Sequence, residues 1–255
     1  MSVNAREEKI FTVELSRWNP SEANPSAGIT LPAILYELAD ALERAGIAGD
    51  TVYSAEVLSC QLDYLPQFIA PDINLHELNH LAQRLSSLSA WELDCFEGMV
   101  MMDAVQTQYA PIPVERLINM THSTEHCQIA YEAHDDPSLG KFYADNDFVP
   151  ALEKVSDEVY AYLDFGKIGK EMREGEGGVF TPHGYVVQNG EIAVCYNRLT
   201  GQWDQLDYGT TSNGITFTRT LGAGVYTQLE FYYYTNHDCM YNKSNITYSV
   251  TYHFE

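Results

Sequence analysis

The chain is expected to be an α+β protein built as an elongated series of small domains. Helical and strand-like hydrophobic periods alternate along its 255 residues, the acidic charge is concentrated where the period is helical, and residues 201–255 trade charge for Tyr, Thr and Asn. With 45% hydrophobic residues it can bury a core, and its length allows one large domain or two to four small ones. The expected division is an N-terminal α/β domain (1–60), an acidic helical domain (61–155), an α/β module that could serve dimerisation (156–200) and a β-rich tail (201–255). No internal repeat is visible.

Residues 10–18 alternate apolar and polar side chains, as a half-buried strand does. Residues 19–28 are rich in Pro, Ser and Asn and predict a loop. From Pro32, the positions Ile34, Leu35, Leu38, Ala41, Leu42 and Ala45 recur at spacings of three and four, and Gly46 supplies a stop, so an amphipathic helix is predicted. Its other face carries Glu37, Asp40 and Glu43. A strand over 51–58 completes a predicted β-α-β unit.

The middle segment predicts short helices whose starts are marked by caps. Asn74 with Glu77, and Ser89 with Glu92, have the capping-box spacing. The first helix would bury Leu75, Leu78, Leu81, Leu85 and Leu88, the second Leu93, Phe96, Val100 and Met101. Pro113 suits the first turn of a third helix, and Asp136-Pro137 opens a fourth. Helix over 156–171 leads to Gly175, Gly177 and Gly178. Strands are predicted over 179–181, 185–188 and 191–196, separated by Pro182-His183-Gly184 and by Asn189-Gly190, the latter a hairpin signal. The tail predicts a meander with strands over 215–221, 225–234 and 246–254.

Residues 61–160 hold seventeen Asp/Glu against four Lys/Arg, a net of −13 in a chain of formal charge −22. The carboxylates alternate with apolar residues at helical spacing, which places them outside a folded scaffold. Such a field repels nucleic acid and anionic lipid, so neither is an expected partner, and it attracts protein surfaces built to bind phosphate. Five cysteines without CxxC spacing, and an N-terminus without an apolar signal segment, predict reduced thiols in a cytoplasm. The longest uncharged apolar runs are too short to cross a bilayer.

Motifs of chemistry are sparse. His122-Ser-Thr-Glu125-His126 is an HxxEH string, in which two His one helical turn apart would bind zinc and the Glu would activate water. The third ligand such a site needs has no evident source, because the following residues contain Pro137, Gly140 and many acids. The alternative is a pair of exposed helical His in an acidic field. Asp164-Phe165-Gly166 spells the kinase magnesium motif without a phosphate loop or H-R-D loop, so Asp164 is read as a helix cap. Asp135, Asp136, Asp145 and Asp147 lack EF-hand spacing and are read as a solvated face. No catalytic residue, cofactor or metal is nominated, His122 and His126 being the one metal alternative, and the chain is read as not an enzyme.

Duplex DNA carries one phosphate per ~1.7 Å of axis, and carboxylates three or four residues apart on a helix fall roughly 4.5–6 Å apart along its axis. Asp94 with Glu97, Glu132 with Asp135 and Asp136, and Glu153 with Asp157 have that spacing. Short acidic helices set around a curve would then copy a strip of phosphates.

The run from Ile73 through Leu75, His76, Glu77, Leu78 and Asn79 to Trp91, Glu92 and Leu93 resembles ArdA-type antirestriction proteins of conjugative elements. So do Leu163-Asp-Phe-Gly-Lys-Ile-Gly-Lys-Glu-Met and Gly177-Gly-Val-Phe-Thr-Pro-His-Gly-Tyr-Val-Val, and the likeness spans about residues 8–196. It implies an elongated homodimer that mimics bent B-DNA and occupies the DNA site of a type I restriction-modification enzyme. Leu78, Leu81, Leu85, Leu88 and Leu93 would form the antirestriction motif. The mimic surface would be Glu37, Asp40, Glu43, Glu77, Glu92, Asp94, Glu97, Asp103, Glu115, Glu125, Glu132, Asp135, Asp136, Asp145, Asp147, Glu153, Asp157 and Glu158. The tail after about residue 201 departs from the family pattern and leaves room for another target. The alternatives carried forward are an inhibitor of another DNA-binding defence enzyme, such as a CRISPR effector, and a zinc-dependent HxxEH hydrolase.

Overall fold

In the computed structural model the first element is strand β1 (Phe11–Arg17), with Phe11, Val13 and Leu15 buried and the residues between them facing outward. The structure describes residues 9–18, 25–49, 51–152, 155–197, 202–203, 233–235 and 238–240. β1 is the centre of an antiparallel sheet in the order β2-β1-β3, where β2 is Ala27–Leu31 and β3 is Tyr53–Cys60. The expected loop over 19–28 therefore gives way to a strand at its end. Ala27, Ile29 and Leu31 alternate with Gly28 and Thr30, and the alternate residues fill the same core as β1. The N-terminal unit is β-β-α-β and antiparallel, in place of the expected β-α-β. Helix α1 (Leu35–Arg44) follows β2 and buries Leu38 and Ala41.

Helices α2 (Leu75–Ser87), α3 (Ala90–Gln106) and α4 (Val114–Thr121) stand where the periodicity predicts them. Asn74 caps α2 by accepting from the His76 and Glu77 amides at 2.9 and 3.3 Å. Ser89 and Glu92 form a true capping box on α3, with the Ser89 amide donating to Glu92 Oε2 at 2.7 Å. Leu75, Leu78, Leu81 and Leu85 are buried, each contributing about 1.5–3 kcal/mol of transfer free energy against the entropy of ordering. Leu88 and Leu93 are only half-buried, and Met99 rather than Met101 joins Phe96 and Val100 in the core.

Strand β4 (Cys127–Ala130) follows α4, then come α5 (Asp136–Asp145), the single turn α6 (Asp157–Tyr160) and α7 (Phe165–Glu176). β5 (Val179–Thr181) and β6 (Gly184–Gln188) form a hairpin, and the second antiparallel sheet has the order β4-β6-β5. The tight turn between β5 and β6 falls at Pro182-His183, as expected, whereas Asn189-Gly190 closes no hairpin, because the strand expected over 191–196 is irregular up to Cys195. The expected boundary at residue 155 passes between β4 and its partner β6. α3 packs on all three strands of this sheet and on α4, while α2 packs on α4 and β2.

Further bonds tie the segments together. The Asn79 side chain exchanges two hydrogen bonds with the Ala33 backbone, at 2.7 and 3.0 Å, and the Tyr53 hydroxyl accepts from the Leu75 amide at 3.0 Å. Residues Met1–Ala193 form one compact unit and Val194–Glu255 a second. In the second unit the described elements are the two-stranded ribbons β7 (Tyr196–Asn197) with β8 (Gln202–Trp203), and β9 (Tyr233–Thr235) with β10 (Asp238–Met240). The strands expected over 215–221 and 246–254, and the strand expected over 225–234 except for its last two residues, lie outside the described residues. The chain is α+β. No disulfide joins Cys60, Cys95, Cys127 and Cys195, and no described helix is long and apolar enough to cross a membrane.

Candidate functional site

The acids expected to form one surface divide by what holds them. Glu77, Glu97 and Asp103 are 6%, 7% and 5% exposed, so these three do not belong to an outer face. Each has a packing cause. Glu77 lies in the first turn of α2, where Leu75, Leu78, Asn79 and His80 are also buried. Asp103 accepts from Arg116 Nε at 2.6 Å and ties α3 to α4. That pair lines a cavity of about 210 Å³ with Met99, Met102 and Gln188. Glu97 sits beneath the β5–β6 turn.

A second group is solvent-accessible but engaged. Glu37 accepts from the Ile34 amide, Asp40 pairs with Arg44 at 2.8 Å, and Glu92 caps α3. Asp135 caps α5 by accepting from Ser138, whose hydrogen bonds hold its carboxyl below the usual range. Asp136 receives two bonds from Arg173, at 2.8 and 3.1 Å, and this pairing likewise lowers its pKa. Asp145 is held by Lys141 at 2.7 Å and by the Tyr160 hydroxyl. The third group, Glu43, Glu125, Glu132, Asp147 and Glu158, is exposed, and Glu115 is half-exposed. Glu153 and the side chain of Asp157 lie outside the described residues.

The cations tell the complementary story. Lys9, Arg17 and Arg84 donate to the carbonyls of Pro32, Gly46 and Thr121. Arg44, Arg116, Lys141 and Arg173 are bonded to the carboxylates named above. Lys167 and Lys170 lie 3.9 and 3.8 Å from Glu171 and Glu174, one turn ahead on α7. Among the described residues, every Lys and Arg is thus within reach of an internal acceptor.

One cluster was not anticipated from the sequence. His183, in the β5–β6 turn, places Nε2 3.6 Å from Asp94 Oδ1 and 3.7 Å from Glu97 Oε2. The Tyr131 hydroxyl donates to Asp94 Oδ2 at 3.1 Å. Burial raises the Glu97 pKa, opposed by His183 and reinforced by Asp94. α3 comes this close because of Gly98, where a Cβ would run into the Val186 side chain.

The HxxEH string does not lie on one helix. α4 ends at Thr121, and His122 is its C-cap, with its ring parallel to that of His80 at 6.3 Å. His126 closes a separate 3-10 turn, Thr124–His126. Among the described residues no group of three or more His, Cys, Asp or Glu is arranged to hold a metal ion. Asp164 caps α7, accepting from the Lys167 amide at 3.0 Å, as its sequence context predicts.

No protein-family model matches the chain, and a search of curated proteins finds no match.

Proposed function

We propose that this chain is a non-enzymatic acidic inhibitor that offers carboxylates in place of phosphates to the DNA-binding groove of a nucleic-acid enzyme. One observation supports the reading above others. Every described Lys and Arg is engaged internally, while Glu43, Glu132, Asp147 and Glu158 are exposed and none of them makes an ion pair among the described residues. These exposed carboxylates belong to a chain of formal charge −22, and a net negative field of that kind favours steering toward a basic groove. The leading target is a type I restriction-modification enzyme, which the resemblance implies, with the chain acting as a homodimer.

The test is inhibition of DNA cleavage and methylation by a purified type I enzyme. Inhibition should be relieved by competitor duplex and should weaken steeply as salt rises. Unaltered cleavage and methylation at low salt with the chain in excess would end the reading for that target. Inhibition of a CRISPR effector in the same assay format would retain the mimic and change the target.

A further inference from the structure

We infer that the cavity between α3, α4 and the segment after β6 is a binding site for a single zwitterionic α-amino acid with an apolar side chain. This goes beyond the acidic exterior and does not depend on what that exterior binds.

The cavity, of about 210 Å³, is built from three directions. α3 supplies Met99, Met102 and Asp103, α4 supplies Arg116, and the irregular segment after β6 supplies Glu191 and Ile192. That segment is held as a wall at both ends. The Asn189 amide donates to the His126 carbonyl at 2.7 Å, and the Ala193 amide donates at 3.0 Å to the hydroxyl of Ser123, itself buried. Between them, a Cβ on Gly190 would stand 2.9 Å from the His126 ring, so the wall lies close against the turn beneath it. Gln188 fixes it further, donating its side-chain amide to the Gly190 carbonyl.

Two kinds of chemistry line the space. Met99, Met102 and Ile192 give it an apolar side. Asp103, by contrast, is charged and more than nine-tenths buried. Arg116 reaches one oxygen of that carboxylate, Oδ1, with Nε at 2.6 Å and also with Nη2. Those two nitrogens form one edge of the guanidinium, which leaves the edge carrying Nη1 for a second anion. A buried charge is costly to hold, and here it lines open space in place of packed side chains.

One cation, Arg116, and two anions, Asp103 and Glu191, thus surround an apolar side. An α-amino acid at neutral pH meets all three demands: its carboxylate takes the Nη1 edge, its ammonium faces Asp103 and Glu191, and its side chain packs on Met99, Met102 and Ile192. A simple carboxylate would have to enter against a chain charge of −22, and a simple amine would leave the Arg116 edge without an acceptor. The volume sets the size. It falls below the ~300 Å³ at which drug-sized ligands begin to be held, so it suits one residue and not a peptide or nucleotide.

The experiment titrates the full chain, labelled at its methionine methyls, with L-leucine and follows the Met99 and Met102 resonances by NMR. Isocaproate, which lacks the ammonium, and isopentylamine, which lacks the carboxylate, present the same apolar group with one charge each. Leucine should shift both methyls saturably at millimolar concentration or below, and each analogue should bind at least about tenfold more weakly. Arg116→Lys keeps a cation for Asp103 but loses the second edge, and should weaken leucine about tenfold. Glu191→Gln alters an exposed residue outside the core, and should weaken leucine several-fold while the chain keeps its cooperative thermal transition. No saturable shift at about 10 mM leucine would overturn the site. So would equal binding of leucine and its two analogues, the mark of an apolar groove, or unchanged binding by either folded variant.

Discussion

Gly140 and Gly169 meet backbone to backbone where α5 crosses α7. A Cβ on Gly140 would lie 2.7 Å from the Gly169 nitrogen and collide with the Phe165 carbonyl. A Cβ on Gly169 would lie 2.7 Å from the Gly140 nitrogen and collide with the Asp136 carbonyl. Because the obstacles are backbone, neither helix can yield by turning a side chain, and the same close approach lets Arg173 reach Asp136.

Gly140→Ala and Gly169→Ala should each lower stability by about 2–3 kcal/mol, read by urea denaturation. The double variant should cost less than the sum, since either Cβ already forces the helices apart. Gly175→Ala is the control: it lies within α7 with nothing near its would-be Cβ, and it should stabilise by about 0.5–1 kcal/mol.

The Asp136–Arg173 pair should make stability acid-sensitive. Arg173 holds the folded Asp136 pKa below its unfolded value. Its contribution is therefore present above the unfolded pKa and is lost as pH falls through the folded pKa. Asp136→Asn should cost about 1–2 kcal/mol near neutrality, and that cost should shrink as pH falls through the folded pKa. Denaturant midpoints across an acid pH series check this.

Glu97 should behave oppositely. Burial raises its folded pKa, so its favourable contribution is complete below the unfolded pKa and declines as pH rises through the folded pKa. Glu97→Gln should raise the thermal midpoint at neutral pH and flatten the loss of stability that begins above about pH 4.

Neutralising one exposed acid should barely alter inhibition, because a single surface charge contributes little. Glu132→Gln alone should change the inhibitory concentration by less than about threefold, whereas adding Glu43→Gln, Asp147→Asn and Glu158→Gln should raise it by more than about tenfold and reduce its salt dependence. Replacing Asp136 or Asp145 would be a poor substitute, since each is bonded to a cation and its loss disturbs the scaffold.

Helices were legible in the sequence because their signals are local: a 3.6-residue period, Asn74 and Ser89 at the starts, Asp164 before α7. The strands were less so. β4 is four residues long and has no period to read, and β2 was hidden by a Pro- and Ser-rich lead-in although Ile29 and Leu31 alternate correctly. Acidity in sequence did not reveal burial. Asp103 and Glu97 carry the same spacing as exposed acids, and only Arg116 and the β5–β6 turn, brought in by tertiary packing, separate them. The His183 cluster joins residues some ninety positions apart, so no spacing rule could have found it.

The pairing of β4 with β6 has a kinetic side. Ala130 and Tyr185 are register partners, so the three helices α5, α6 and α7, strand β5 and the intervening turns must be closed into a loop before that ladder can zip. Loop closure of this length adds an entropic barrier that short-range helix formation does not face. Refolding from denaturant should accordingly show helical ellipticity recovering ahead of the protection of the β6 amides, with the sheet the last part of the unit to lock.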